Sequence, residues 1–389
     1  MPPPRLEALI AEYGGAGGLS RALGALAARG SLPFPYKGPF LPPPSALFEN
    51  LRMRGFVRLE QVRRSGGAAG LSPFTAWIAE RAPTTLEVSE EAYEAVDQLT
   101  DFFTEHPRVA ARVRGHASPL EAWRDEGQAA SAAFLAIGAA LLAGGGLGPP
   151  ALREGCWSAF REATNFKATL AVAIYRFFGA EAILDMCGGW GDRALAAAGT
   201  EGVLRYVGVD PAPGLVRGHA AISAFLEAEG CGGRTRFRSI PFERYDSACC
   251  SEDFGDVPGG RPDFVFASPP YYNWELYGDD PGQSYRGQSL AEWLHGWLFP
   301  AVDLAWGHLA PGGFLAVYLS DAGGIRMTDP LCAHMDAQRR SYAGVLQCRR
   351  GSKRPLPLWV WRKAGGPGAP LAAPLPRLEA EKALPAGGE

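Results

Sequence analysis

Short apolar runs alternate with helical patterns through the second half of the chain, and each run is about as long as a buried strand. Polar, acidic or glycine residues follow these runs, as is typical of strand ends. The predicted strands are Ala182–Met186, Arg205–Asp210, Thr235–Ile240, Asp263–Ala267 and Phe314–Leu319. Strands that alternate with helices form parallel sheets, so the pattern predicts an α/β fold.

Further patterns complete this domain at both ends. Phe160–Phe178 and Ser289–His308 have helical periodicity, while Tyr342–Cys348 and Leu358–Trp361 are spaced as a hairpin. We therefore expect residues 154–363 to form one Rossmann-like domain with a seven-stranded, mostly parallel sheet. Helices should cover both faces of this sheet, and its last strand should be antiparallel.

The chain before this domain has mainly helical periodicity. Residues 1–44 are rich in proline, alanine and glycine, which predicts a low-complexity, loosely ordered segment with two short helices. Residues 45–153 are predicted to be a mainly helical accessory or substrate-recognition region, in which Glu87–His106 is an amphipathic helix. Residues 364–389 resemble the first segment in composition and should form a disordered tail.

Charge adds a constraint on the partner. The formal net charge of the 389-residue chain is −3, whereas nucleic-acid-binding domains tend to be basic. Local basic segments partly answer this objection: Leu51–Arg64, the arginines 108, 112 and 114, and Arg349–Arg354. Each of these could contact phosphates, or could simply be a solvated surface.

The cysteines and the apolar runs indicate where in the cell the protein is expected. The seven cysteines include no Cys-x-x-Cys pair, which favours a reducing, intracellular location, cytoplasmic or nuclear, and argues against a zinc site or another metal. The first residues do not resemble a signal peptide. Gln128–Leu152 is long enough to span a bilayer, but its alanine and glycine content predicts a buried helix and no membrane partner. The oligomeric state is not indicated.

A glycine-rich turn follows the first predicted strand. Cys187, Gly188, Gly189 and Gly191 lie between this strand and a helix, where glycines let the backbone approach a cofactor closely. The same segment fits the G-x-G-x-x-A fingerprint of dinucleotide enzymes. A nicotinamide or flavin oxidoreductase therefore stays open at this point.

Acidic and aromatic residues at strand ends favour one cofactor. Asp210, after the second strand, is placed to accept hydrogen bonds from two ribose hydroxyls. Asp185 would repel a pyrophosphate but attract the ammonium of a methionine group, which favours S-adenosylmethionine. Phe242, next to Pro241, could clamp the adenine ring. Either aspartate could instead be a helix N-cap.

The loop Ser268–Pro269–Pro270–Tyr271 directly follows the fourth predicted strand. Two prolines hold it stiffly, and it offers hydrogen-bond acceptors and an aromatic face without a nucleophile or a metal ligand. Such a loop suits a substrate that carries an amino group on a planar ring. The residues predicted to hold that substrate come next: Tyr272, Asn273, Glu275 and Tyr277.

The ordered motifs FKA (Phe166–Ala168), LDMCGGWGDR, GVDP, PFE, FASPPYYNWELY and PLWVWRK resemble a group of S-adenosylmethionine-dependent amino DNA-methylase-like proteins with Ser-Pro-Pro-Tyr loops. The resemblance covers Glu154–Lys363 and implies a Rossmann-like class I methyltransferase domain. It implies catalysis by Ser268, Pro269 and Tyr271. It also implies cofactor contacts at Phe166, Asp185, Gly188, Gly189, Gly191, Asp210 and Phe242.

The resulting prediction is transfer of a methyl group to an exocyclic amine of a nucleic-acid base, with adenine in DNA as the first choice. The loop begins with Ser268 where adenine-specific members more often have Asp or Asn, and sequence reading would fall to residues 45–150. Methylation of RNA or of a small molecule, oxidoreduction and a silent binding role stay open. The chain has no Pro-Cys dipeptide, which excludes the covalent cysteine route to carbon methylation.

Overall fold

The computed structural model describes residues 6–53, 57–61, 83–88, 95–278, 280–350 and 356–365. Within these ranges it describes the backbone but not the side chains at 53, 57–61, 83–88, 349 and 350. Most of the predicted disordered tail therefore lies outside the described residues. The same is true of most arginine side chains in the basic segments Leu51–Arg64 and Arg349–Arg354.

The described part of the chain contains eleven strands: β1 Val57–Gln61, β2 Pro83–Val88, β3 Arg112–Val113, β4 Ala182–Asp185, β5 Arg205–Val209, β6 Thr235–Arg238, β7 Phe264–Ala267, β8 Glu275–Leu276, β9 Phe314–Tyr318, β10 Ser341–Arg350 and β11 Leu356–Arg362. Nine of them form one sheet in the order β1-β2-β10-β11-β9-β7-β4-β5-β6. β3 and β8 form a separate antiparallel pair.

Seven strands of the main sheet come from the predicted α/β domain. β6, β5, β4, β7 and β9 are adjacent and parallel. β11 is antiparallel to both of its neighbours, β9 and β10. The predicted seven-stranded, mostly parallel sheet with an antiparallel last strand is therefore confirmed.

The helices of the described residues are α1 Leu6–Glu12, α2 Ala16–Ala28, α3 Pro44–Met53, α4 Asp101–Ala110, α5 Pro119–Trp123, α6 Glu126–Leu142, α7 Pro149–Ala159, α8 Ala168–Phe178, α9 Asp192–Gly199, α10 Val216–Ala228, α11 Ser247–Phe254, α12 Leu290–Trp293, α13 Phe299–His308 and α14 Thr328–Ala337. A π-helical turn, Leu294–Leu298, joins α12 to α13, so the predicted helix over Ser289–His308 is present with one irregular turn.

Helices cover both faces of the main sheet, which explains why its central strands are apolar along their whole length. Every residue of β4, β5 and β7 is buried. Residues of α3, α8, α9 and α10 pack in the core on one face. Residues of α11, α12, α13 and α14 pack in the core on the other face.

Two strands of the main sheet come before the α/β domain and were not predicted. β2 is parallel to β10, and β1 is antiparallel to β2, so both extend the main sheet at its edge. The predicted helix Glu87–His106 is therefore wrong over its first two residues, which belong to β2, and residues 89–94 lie outside the described ranges. A helical pattern in the sequence was overridden by pairing with a strand near the other end of the chain.

The alanine- and glycine-rich composition before residue 154 reflects close helix packing. A Cβ on Gly24 of α2 would lie 2.5 Å from Glu126 O, and a Cβ on Gly155 of α7 would lie 2.3 Å from Ala132 O. Both glycines thus let a helix pack directly against the backbone of α6. The first segment is for this reason more ordered than its composition suggested, and both of its short helices are present.

The apolar run Gln128–Leu152 divides between α6 and α7, with a break before Pro149. None of the described helices is long and apolar enough to cross a membrane.

Candidate active site

Three polar residues stand at the ends of three neighbouring strands. Asp185 ends β4, Asp210 follows β5, and Ser268 follows β7. β5, β4 and β7 are adjacent and parallel, so their carboxyl ends meet at one edge of the sheet. A cavity of about 1010 Å³ opens there, and Asp210 and Ser268 line it. The predicted placement of all three residues at carboxyl ends is confirmed.

The glycines between β4 and α9 serve two purposes. A Cβ on Gly188 would lie 3.3 Å from the backbone of Gly208, so the turn passes close to β5. Gly189 and Gly191 have φ angles of 55° and 100°, which favour glycine. Gly188 and Gly189 line the cavity. Gly191 does not: it packs behind the turn, where a Cβ would come 2.4 Å from Ile222 Cδ1.

Asp185 is fully buried and does not line the cavity, contrary to the expectation that it would meet an ammonium group. Arg193 forms a salt bridge with its carboxylate. The Tyr206 hydroxyl donates to Oδ2 at 2.7 Å, and the Cys187 N–H donates to Oδ1 at 3.1 Å. Because Arg193 already neutralises this carboxylate, Asp185 supports the glycine turn from behind.

Asp210 faces the cavity and is fixed by two backbone donors. The Gly189 N–H donates to Oδ2 at 2.9 Å, and the Ala212 N–H donates to Oδ1 at 3.0 Å. Burial raises the pKa of Asp210, and these two hydrogen bonds oppose that rise. Since each carboxylate oxygen can accept a further hydrogen bond, Asp210 is a rigid acceptor for a diol.

Asp192 is a cavity residue that the sequence prediction missed. It is 3% exposed, and its Oδ1 accepts from Thr100 Oγ1 at 2.6 Å and from Asn165 Nδ2 at 3.3 Å. Burial raises the pKa of Asp192 to about 7. The residue belongs to the LDMCGGWGDR motif, which could have indicated it, but its partner Thr100 is 92 positions away.

Aromatic residues and a thiol complete the wall near the glycine turn. Phe166 lies edge-on to Phe266 with ring centroids 5.4 Å apart, and the 3% exposed Phe242 stacks on Tyr245. Phe166, Phe242 and Cys187 all line the cavity. Burial raises the pKa of Cys187, so its thiol is neutral near pH 7.

All four residues of the loop Ser268–Tyr271 line the cavity. Pro269 is buried, and the fixed φ of both prolines holds the loop against the end of β7. No described residue forms a hydrogen bond with Ser268 Oγ, so this oxygen keeps its acceptor sites. Burial raises the pKa of Tyr271, and hydrogen bonding with Ser320 opposes that rise.

Two of the four predicted substrate residues do not line the cavity. Tyr272 has a left-handed φ of 55°, and its hydroxyl donates to Gln288 O at 2.6 Å. Its ring packs edge-on against Trp293 with centroids 5.9 Å apart. Asn273 is exposed. The left-handed turn carries these two side chains away from the cavity, so contact with a substrate stays a prediction for Tyr272 and Asn273.

Glu275 and Tyr277 do line the cavity, together with two side chains that were not predicted. The Tyr277 hydroxyl donates to Glu275, and burial raises the pKa of this carboxyl group. Tyr277 also lies edge-on to Trp190, with centroids 5.6 Å apart. Ser284 Oγ lies buried in the same wall and has no hydrogen-bond partner among the described residues. This side of the cavity therefore offers free polar groups.

The region before residue 154 contributes to the wall as well, through Lys37, Asp101 and Arg108 among others. Arg108 pairs with Asp101 and Glu162, and Arg153 pairs with Glu105 and Glu162. These ion pairs tie α4 and α7 to the segment that precedes α8. The sequence did not indicate this network because its members are scattered.

No protein-family model and no curated protein matches the sequence. Solved structures do resemble part of the chain. One is 1,6-didemethyltoxoflavin-N1-methyltransferase from Burkholderia thailandensis, with bound 1,6-didemethyltoxoflavin and S-adenosylhomocysteine, at 18% identity and a TM-score of 0.31. That similarity covers 50% of this chain and 76% of the other.

Two further solved structures also resemble part of the chain. TrmN from Thermus thermophilus has 18% identity and a TM-score of 0.33 over 51% of this chain and 49% of its own, about half its length. An rRNA methylase from Streptococcus thermophilus has 15% identity and a TM-score of 0.32 over 49% of this chain and 94% of its own. Each similarity covers about half of the present chain.

Proposed function

We propose that this protein is an S-adenosylmethionine-dependent N-methyltransferase that acts on an exocyclic amino group of a nucleic-acid base, with adenine in DNA as the first candidate. One observation carries the proposal. A single cavity joins the glycine turn and Asp210, at the ends of β4 and β5, to the loop Ser268–Tyr271 at the end of β7. A cofactor and a planar amine would therefore meet at neighbouring strand ends.

The residues at the glycine turn suit this cofactor. Asp210 would accept from the two ribose hydroxyls, and Phe242 would pack on the adenine ring. Gly188 and Gly189 leave room for the backbone to approach. Asp192, rather than Asp185, is the cavity carboxylate that would face the ammonium group. S-adenosylmethionine supplies, when bound, a methyl group on a positively charged sulfur.

A dinucleotide cofactor fits this turn less well. A pyrophosphate binds at the N-terminus of the helix after such a turn. Here that helix, α9, begins with Asp192, and Asp210 and Glu243 also line the cavity. Asp210 and Glu243 would repel a pyrophosphate, and Asp192 would add to the repulsion whenever it is ionised. This argues against the oxidoreductase alternative.

The second part of the cavity suits an amine on a planar ring, whose lone pair is delocalised and poorly nucleophilic. Ser268 Oγ and the Pro269 carbonyl would accept hydrogen bonds from the two N–H groups of the amine and so orient its lone pair. Tyr271 would stack on the ring, while Glu275 and Ser284 would bind its polar edge. Catalysis would then depend on orientation and on fixed dipoles.

The class of substrate defines the alternatives. A base in duplex DNA must be flipped out, which costs a few kcal/mol and which stacking on Tyr271 would partly offset. RNA presents unpaired bases without this cost. The net charge of −3 favours a small planar amine as the second candidate, because such a substrate needs no phosphate-binding surface.

One experiment separates these possibilities. The purified protein is incubated with radiolabelled S-adenosylmethionine and, in parallel, with DNA, RNA and a total small-metabolite extract. Label in DNA as an N-methyl base supports the proposal. Label only in RNA or in a metabolite would keep the mechanism and overturn the substrate. A Ser268→Ala, Tyr271→Ala double variant as active as the wild type would overturn the mechanism.

A further inference from the structure

Three arginines near β3 are engaged in different ways. Arg108 is 2% exposed and sits between two carboxylates. Arg112 is exposed and donates to both oxygens of Glu121, whose pKa this hydrogen bonding lowers to about 2. Arg114 is exposed and forms an ion pair with no described carboxylate. Of the three guanidinium groups, that of Arg114 is the one free to bind an anion.

Arg114 is held against the substrate side of the cavity. β3 pairs with β8, which lies just after the loop Ser268–Tyr271, and the Arg114 N–H donates to Trp274 O at 2.8 Å. The Arg114 guanidinium lies over the Trp274 ring, 3.5 Å from its centroid. Stacking on an aromatic face leaves the edge donors of a guanidinium available. Both residues line the cavity.

The Trp274 ring is itself fixed. The Trp274 backbone N–H donates to Tyr271 O at 3.0 Å, so the residue belongs to the turn that ends the loop Ser268–Tyr271. Gly323 packs against its other side, where a Cβ would come 2.3 Å from Trp274 Cζ3. Arg114 has a left-handed φ of 54°, a conformation uncommon for arginine. The stacked pair is therefore a defined part of the wall.

Charge decides what Arg114 can recognise. Glu275 and Asp280 also line the cavity, and as carboxylates they cannot bind an anion. Of these three residues, only Arg114 can therefore bind an anionic group of the substrate. The planar guanidinium matches two oxygens of a phosphate. We infer that Arg114, stacked on Trp274, binds a phosphate group attached to the substrate nucleoside. This inference rests on the proposed function for the nucleoside, and it restricts the substrate to a nucleotide or a phosphodiester.

The test compares Arg114→Gly with Arg112→Ala as the matched control. Glycine keeps the left-handed conformation while it removes the guanidinium. Arg114→Lys keeps the charge without the planar fork. Methyl transfer is measured with deoxyadenosine, deoxyadenosine 5′-monophosphate and a short single-stranded oligodeoxynucleotide. For phosphate-bearing substrates we expect Arg114→Gly to raise KM about tenfold or more with kcat unchanged, and Arg114→Lys to give a smaller rise.

The two nucleotide substrates identify the source of the phosphate. A raised KM of Arg114→Gly for the monophosphate would show that Arg114 binds the nucleotide's own phosphate. A raised KM for the oligodeoxynucleotide alone would show that it binds a neighbouring phosphodiester. Deoxyadenosine should be methylated equally by the wild type and by both Arg114 variants. An equal loss with deoxyadenosine, or an equal loss in Arg112→Ala, would show a structural role and overturn the inference.

A binding measurement keeps this inference separate from the proposed function. Fluorescence anisotropy of the labelled oligodeoxynucleotide is recorded between low and moderate salt. Arg114→Gly should weaken binding and reduce the slope of log K against log[salt] by about one. If no substrate is methylated but this slope changes, the proposed function fails while the phosphate site stands. An unchanged slope and affinity would overturn the phosphate site.

Discussion

The two parts of the cavity are built on different principles. At the ends of β4 and β5, the glycine turn brings backbone into the wall, and the carboxylates there are held in place: Asp185 behind the turn by Arg193, and Asp210 by two peptide N–H groups. After β7, the wall includes side chains with unused hydrogen-bonding capacity, namely Ser268 and Ser284. Rigid backbone suits a constant cofactor, whereas free side chains suit the selection of a substrate.

This contrast predicts that substitutions near the glycine turn affect stability or cofactor binding, and that substitutions after β7 affect the substrate. The largest effect should come from Asp185→Ala. It leaves Arg193 buried without its partner, which should lower the free energy of unfolding by about 3–5 kcal/mol. Urea unfolding measures this loss of stability. Asp256→Ala is the control, because Asp256 also pairs with an arginine, Arg205, but is itself exposed to solvent. Equal, small effects of both would contradict the supporting role of Asp185.

The next effect concerns cofactor affinity. Asp210→Ala removes up to two charge-assisted hydrogen bonds to ribose, each worth at most about 1.5–3 kcal/mol. Calorimetry should show much weaker binding of S-adenosylmethionine, and nicotinamide dinucleotides should not compete with it in the wild type. An unchanged affinity would remove Asp210 from the cofactor site.

On the substrate side, Tyr271→Ala should lower kcat/KM by an amount equal to about 1–3 kcal/mol through lost base stacking. Affinity for S-adenosylmethionine should stay the same, because this ring is assigned to the substrate alone. The contrast between the two parts of the cavity would fail if calorimetry showed the cofactor affinity falling in parallel with kcat/KM.

The last effect is a dependence of stability on pH, which is small for each pH unit and spread over about three units. The pKa of Asp192 is about 7 in the folded protein and about 4 when unfolded, so the folded state binds the proton more tightly. Its contribution to stability should therefore decrease by up to about 1.4 kcal/mol per pH unit as the pH rises from 4 to 7, and level off above 7. The difference in unfolding free energy between the wild type and Asp192→Asn should follow this course. A flat difference would place the pKa of Asp192 near its ordinary value.

The parallel strands and the positions of Asp210 and Ser268 could be predicted because they depend on local patterns. A buried strand is a short apolar run, and the residue after it lies at the carboxyl edge whatever surrounds it. The direction of a side chain depends on distant partners. Asp185 looked available because its partner, Arg193, is visible only once α9 packs beside β4.

The same limit explains the other errors. A left-handed φ at a residue other than glycine leaves no signal in the sequence. The turn at Tyr272, which keeps Tyr272 and Asn273 off the cavity wall, was therefore not predicted. Asp101 reaches the cavity from a region where the sequence shows helical periodicity and a few basic residues, and nothing in that pattern singled it out. β1 and β2 depend on β10 for their place in the sheet, and no local pattern records such a distant partner.

The pairing of β2 with β10 also sets an order of events during synthesis. β2 leaves the ribosome well before β10, because Val88 and Ser341 are far apart along the chain. At 5–20 residues per second, the interval is roughly 10–50 seconds. For that time β2 has β1 as its neighbour on one side, while its other edge has no native partner to pair with. Slowing translation between the two strands should therefore increase aggregation of the nascent chain.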